Sequence, residues 1–242
     1  MPTPAEVQSA VAARLRGAAD PIRAPQQQRY MKSEMPYLGV TVPECRRITG
    51  SVFRKLPLPD AGAWETAILA LWREATYREE RYAAIELLNF PRYSDWIAPE
   101  RVPLMEELVV TGAWWDYVDA IAGRALGVLL AAHPEPTAAL LRDWAVCDNL
   151  WKRRSAILAQ LRSKRATDTQ LLTDVIEPSI GEQEFFLRKG IGWALREYSK
   201  TDPDWVAAFV DTHAGLSRLS RREALKHLDR LEPPGSSAPR RP

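Results

Sequence analysis

The 242 residues predict an all-α protein built from paired helices that repeat along the chain. Three observations carry that prediction. Apolar residues recur at i, i+3 and i+4 from end to end, with no sustained alternation of period two. Prolines fall between the apolar stretches, as at Pro57, Pro59, Pro91, Pro99, Pro134, Pro136, Pro178 and Pro203. A small residue followed by Ile or Leu returns at Ala84, Ala120, Ala156, Gly190 and Ala224, at spacings of 36, 36, 34 and 34 residues.

The elements follow in order. Thr3-Pro4-Ala5-Glu6 is a capping box with proline in the first turn, so a helix starts there. Helical spacing then marks the stretches 69–72, 82–88, 118–130, 138–145, 155–161 and 185–195. The repeat period suits an α-solenoid of HEAT-like pairs, and the tetratricopeptide consensus is absent. Such a stack curves, and one helix of each pair lines the concave face. The lining helices are expected to start near Tyr77, Trp115, Trp151, Phe185 and Leu219. Five positions before each small residue stand Glu79, Trp115, Trp151, Phe185 and Leu219, and Trp151 and Phe185 read as core. One domain is expected over residues 1–231. The tail 232–242 has no apolar side chain larger than alanine and reads as disordered.

Composition excludes several classes. An apolar fraction of 46% and a charged fraction of 26% are those of an ordinary globular chain. The two cysteines, Cys45 and Cys147, are far apart in sequence, and the three histidines are scattered. Neither a disulfide framework nor a metal site follows, and no cofactor is expected. Cys147 has no histidine at a helical offset and reads as core. The first ten residues lack an apolar leader core, and no run is long enough to span a bilayer, so a cytoplasmic protein without a membrane partner is expected. The phosphate-binding glycine loop, the serine-hydrolase elbow and the zinc-hydrolase signatures are all missing.

The net charge is only +2, but its distribution is uneven. From Lys152 to Arg165 stand Lys152, Arg153, Arg154, Arg162, Lys164 and Arg165 with no acid among them. Two positions before the small repeat residue, the last three repeats carry Arg154, Arg188 and Arg222. Arginines at one repeat position are what a groove tracking a phosphate backbone requires.

The residues most suggestive of chemistry are Trp114-Trp115-Asp116-Tyr117-Val118-Asp119. Helical spacing puts Trp115 and Asp119 on one face, a turn apart. One carboxylate beside an indole is too little for acid and base work on a neutral leaving group. It suits the stabilisation of a cation, with indole faces adding about 0.5–2 kcal/mol each. A purine alkylated at N3 or N7 is already cationic, and its glycosidic bond breaks to an oxocarbenium-like sugar. Asp116 is the rival carboxylate; an exposed acid in the first helical turn is its simpler role.

These motifs carry a resemblance. Arg29-Tyr30-Met31-Lys32, Tyr37-Leu38-Gly39-Val40, the stretch from Leu104 to Thr111, Trp114 to Asp119, Asp148-Asn149-Leu150-Trp151, Arg154 to Leu158, Gly190 to Tyr198 and Leu219 to Ala224 resemble the bacterial HEAT-like alkylpurine DNA glycosylases, the AlkD family. The likeness covers nearly the whole chain apart from the tail. It implies excision of 3-methyladenine, 7-methylguanine and bulky N3-adenine adducts from duplex DNA without base flipping, by a monomer that leaves an abasic site. It implies Asp119 as the catalytic carboxylate, with Trp115 and Trp193 packing on the lesion nucleotide. By the same likeness Arg154 touches the DNA backbone and Tyr30 helps to close the site. Arg188, Arg222, Lys152 and Arg196 are further candidates for phosphate contact. A non-catalytic DNA-binding solenoid and a protein-binding helical scaffold are the alternatives.

Overall fold

The computed structural model describes residues 1–230, and every described regular element is a helix. The expected tail lies outside these residues. The contacts divide the expected single domain into two units, Met1–Gly112 and a second beginning at Ala113.

The first unit holds α1 (Pro4–Arg16), α2 (Ala24–Met31), α3 (Val42–Lys55), α4 (Ala61–Arg73), α5 (Arg78–Leu88) and α6 (Val102–Gly112). Local chemistry explains where the helices begin. The Thr3 hydroxyl accepts from the Glu6 amide and the Glu6 carboxylate from the Thr3 amide, completing the anticipated box. Thr41 and Asp60 cap α3 and α4 by accepting the Glu44 and Ala63 amides. Val7, Val11 and Leu15, four residues apart, form a fully buried stripe on α1. Trp64 is buried whole because its Nε1 donates to the Leu87 carbonyl at 3.1 Å.

The connection from α2 to α3 is held by a buried charge. Glu79 of α5 is fully buried, and its carboxylate accepts the Leu38, Gly39 and Val40 amides at 2.9, 2.9 and 3.1 Å. Burial pushes this carboxyl above its usual range, against the pull of those amides. Gly39 has φ +89°, and a Cβ there would stand 2.1 Å from the Asp20 carbonyl oxygen, so only glycine fits. Glu79, the one acid at this repeat position, is interior because main-chain donors surround it.

The second unit holds α7 (Trp115–Ala120), α8 (Gly127–Ala132), α9 (Pro134–Val146), α10 (Leu150–Leu158), α11 (Thr169–Ile176), α12 (Phe185–Tyr198), α13 (Pro203–Thr212) and α14 (Arg218–Leu225). A π-helical turn, Ile121–Leu126, joins α7 to α8. The sequence pattern from 118 to 130 thus forms one rod with a widened turn inside it, a feature that often accompanies functional sites. Asn149, Asp168, Asp202 and Ser217 cap α10, α11, α13 and α14.

Within this unit α10 packs on α7, α9 and α12, and α12 packs on α14. The approach of α12 to α14 is close, since a Cβ on Gly192 would lie 2.9 Å from the Ser220 carbonyl oxygen. The five small repeat residues fall on α5, α7, α10, α12 and α14, whose first residues are Arg78, Trp115, Leu150, Phe185 and Arg218. These agree with the expected starts to within a residue.

Candidate functional site

The site is built on α7, α10 and α12, all in the second unit. Ala113, at φ +42°, turns the chain into α7, and extended Trp114 precedes the first helical residue. The Trp114 ring packs against Trp151 and Phe186, at centroid distances of 6.2 and 5.5 Å, and Trp151 meets Phe186 at 5.1 Å. This aromatic cluster takes one ring from each of the chain segments that carry the site. Trp151 is buried, as expected.

Phe185 departs from expectation. The sequence pattern puts it in the core, and it is 57% exposed. It is the first residue of α12, directly after the N-cap Glu184, and the helix register turns Phe186 inward in its place. Phe185 then meets only the edge of that ring, at 5.5 Å.

Trp115 and Asp119 are both partly buried and lie one turn apart on α7. The Asp119 side chain keeps 11% of its exposure and that of Arg154 only 4%. Arg154, on α10, forks onto the carboxylate: Nε donates to Oδ1 at 2.7 Å and Nη2 to Oδ2 at 2.9 Å. Its Nη1 donates to the Phe186 carbonyl of α12. A bidentate guanidinium on a carboxylate fixes direction as well as distance. Gly190 makes the room, because a Cβ at that position would come within 3.2 Å of Arg154 Nη1.

Burial pushes the Asp119 carboxyl above the usual aspartate range. The Arg154 guanidinium pulls it down, and the Asp116 charge adds to the push. The result is an anion stripped of most of its water and held by one cation.

Three of the Arg154 donors, on which the resemblance placed a phosphate contact, are committed inside the protein: two to the Asp119 carboxylate and one to the Phe186 carbonyl. The arginine row at 154, 188 and 222 is likewise not a row of free cations. Arg188 Nε donates to the Glu182 carbonyl at 2.8 Å and its Nη2 to the Gln183 side chain, whereas Arg222 is exposed on α14. Equal repeat position gives equal phase on the helix, but the preceding loop differs from repeat to repeat and supplies different acceptors.

The other candidates are placed as follows. Trp193 is partly buried on α12 and shares a face with Phe186 and Gly190, the face that meets α10. Lys152 lies over the Trp144 ring at 5.2 Å. Arg196 pairs with Glu223 at 2.6 Å, and Lys189 reaches the same carboxylate at 2.9 Å. Tyr30, in the first unit, is 78% exposed near the end of α2, between exposed Arg29 and Lys32. Among the described residues no group of three or more His, Cys, Asp or Glu side chains is arranged to hold a metal ion. No described helix is long and apolar enough to cross a membrane.

Sequence reasoning overlooked Phe186 and Glu223. The Phe186 carbonyl carries no sequence signal at all. Glu223 offered one, since it follows two arginines and lies in the repeat that faces Arg196.

Comparison with known proteins bears on the family and the fold. The family model described as DNA alkylation repair enzyme matches residues 11–228. Among solved structures the chain is similar to a predicted DNA alkylation repair enzyme from Enterococcus faecalis, with TM-score 0.78 and 31% identity over 87% of this chain and 96% of that one. It also shares its fold with the Pseudomonas fluorescens alkylpurine DNA glycosylase AlkC bound to DNA containing an abasic site analog. There the TM-score is 0.51 and the identity 15%, over 93% of this chain and 62% of the other. Comparison with curated proteins finds no match. With its model matched from residue 11 to residue 228, this chain belongs to the DNA alkylation repair enzyme family.

Proposed function

We propose that the chain is a DNA glycosylase that hydrolyses the N-glycosidic bond of cationic N3- and N7-alkylated purines in duplex DNA and leaves an abasic site. The observation that carries this reading is the desolvated Asp119 carboxylate, aimed by the Arg154 fork and set one turn from Trp115. Membership of an alkylation repair family supports the substrate class. The DNA-bound state of the AlkC relative in fold supports DNA as the partner.

The chemistry follows from charge. In an N3- or N7-alkylpurine nucleotide the base is already a cation. Its bond to C1′ breaks with both electrons going to the ring, which becomes neutral and departs. The sugar is left as an oxocarbenium ion. Asp119 lowers the barrier by facing that developing cation from a site where little water screens it. The Trp115 and Trp193 rings add cation–π attraction, about 0.5–2 kcal/mol each. Water then adds to C1′ and loses a proton, for which Asp119 is the acceptor. Arg154 keeps the carboxylate oriented throughout, so no reorganisation is required at the moment of bond breaking. No general acid is needed, because the leaving base carries its positive charge beforehand.

Because recognition is of the sugar and its charge, bulky N3-adenine adducts are accepted along with methyl groups, and the base is not flipped into an enclosing pocket. The alternatives are a non-catalytic DNA-binding helical repeat and a protein-binding scaffold. A carboxylate held at the expense of its hydration argues against both, since neither task needs one. The test is release of 7-methylguanine, 3-methyladenine and a bulky N3-adenine adduct from matched duplexes, with Asp119→Asn as the control. No release of any of the three by the intact protein refutes the reading.

A further inference from the structure

The basic run between Lys152 and Arg165 divides into two functional halves. Lys152 lies over Trp144, and Arg154 is spent on Asp119. Arg153 is tied to Glu182 at 2.9 Å and to the Pro178 carbonyl and Ser179 hydroxyl at 3.2 and 3.0 Å. Beyond the end of α10 the situation reverses. Arg162, Lys164 and Arg165 are all exposed, and among the described residues no ion pair or side-chain hydrogen bond engages them. No acid lies between Arg154 and Asp168, and the Asp168 carboxylate is occupied in capping α11 through the Leu171 amide at 3.0 Å.

Hydrogen bonds brace the turn that carries these cations. Gln160 is buried, and its side-chain amide brackets Asp168: Nε2 donates to the Asp168 carbonyl at 2.9 Å, and Oε1 accepts the Asp168 amide at 2.8 Å. This clamp closes the loop from residue 160 to 168. Inside it the Ala166 amide donates to the Ser163 carbonyl at 2.8 Å, and Lys164 sits at φ +51°, a left-handed conformation that costs a residue other than glycine about 1 kcal/mol. Beside the turn a cavity of about 180 Å³ is lined by Lys164, Thr167, Tyr198, Thr201 and the Glu197–Lys200 ion pair, which neutralises the one acid there.

We infer that the turn Arg162–Ser163–Lys164–Arg165 is a preformed docking surface for the DNA phosphate backbone, distinct from the carboxylate site and responsible for much of the salt-dependent affinity. Charge complementarity names the partner, since three exposed cations with no counter-anion among the described residues match a polyanion. Holding them in one shape beforehand removes the ordering cost on binding. The turn follows the end of α10, the helix whose Arg154 holds Asp119, so the carboxylate site and the turn are carried by one helix of one unit. The inference rests on the proposed action on DNA.

The test is the affinity of the full chain for an undamaged duplex as a function of salt. Each phosphate neutralised contributes about 0.9 to the slope of log K against log salt. For the Arg162→Ala, Lys164→Ala, Arg165→Ala triple variant the slope should fall by two to three. Replacing Arg162 and Arg165 by lysine should restore it. Melting followed by circular dichroism should show an unchanged fold, as all three side chains are exposed. An unchanged slope in the triple variant overturns the inference, and so does failure of the lysine variant to recover it. Base release by the wild-type chain, measured separately, decides whether the glycosylase reading stands whatever the slope does.

Discussion

Replacing Arg154 with alanine separates an internal role from a DNA-facing one. The substitution removes two charge-assisted hydrogen bonds to Asp119 and one to the Phe186 carbonyl. Hydrogen bonds to charged groups contribute about 1.5–3 kcal/mol each. Leaving one member of a buried pair alone costs about 3–5 kcal/mol, and exposures of 4% and 11% put this pair in that class. The penalty has a ceiling, because Asp119 escapes it by taking up a proton, so the loss should shrink as the pH is lowered. At about 2–4 °C per kcal/mol for a chain of this size, the midpoint of melting should fall by about 6–20 °C. Urea unfolding followed by tryptophan fluorescence measures the loss. The double variant Asp119→Ala, Arg154→Ala should lose clearly less than the sum of the singles, with a coupling of about 2–3 kcal/mol. A loss under about 1 kcal/mol for Arg154→Ala, or strict additivity, would refute the positioning role. Duplex affinity provides the opposite check: a salt slope lowered by about one would return Arg154 to a phosphate.

Asp119→Asn keeps the shape and removes the charge, so base release should drop at least about 100-fold while duplex binding is kept; a rate close to wild type would shift attention to Asp116. Excision should follow lesion charge, with 7-methylguanine released and hypoxanthine retained in the same assay, since no general acid serves a neutral base. Only the ionised Asp119 stabilises a cation, and its carboxyl titrates above the ordinary value, so excision should fail on the acid side at a higher pH than an exposed aspartate would dictate. The sign for stability is opposite: the folded state holds that proton more tightly than the unfolded one, so this group's contribution declines as pH rises through the raised pKa. Glu79→Ala should destabilise the first unit by several kcal/mol in urea unfolding, because three buried amides lose their acceptor together.

Much of the fold was legible without coordinates. Helical period, proline placement, the Thr3 box and the recurring small residue are local properties, and α5, α7, α10, α12 and α14 begin where those signals put them. Trp115 and Asp119 were legible as a pair because four residues on a helix span one turn whatever surrounds it. The π-helical turn after Ala120 was not, since its hydrogen-bond shift leaves the apolar pattern intact.

What only the tertiary structure decided is the fate of the charges. Arg154, Arg188 and Arg222 look alike in sequence, yet one is buried on Asp119, one is tied to a loop carbonyl, and one faces solvent. The same holds for Glu79, an acid by composition and a core residue by circumstance. Phase on a helix follows from sequence position alone. Whether a charged group finds a partner depends on carbonyls, amides and counter-ions brought from distant segments, and their desolvation and pairing energies exist only after the helices have packed.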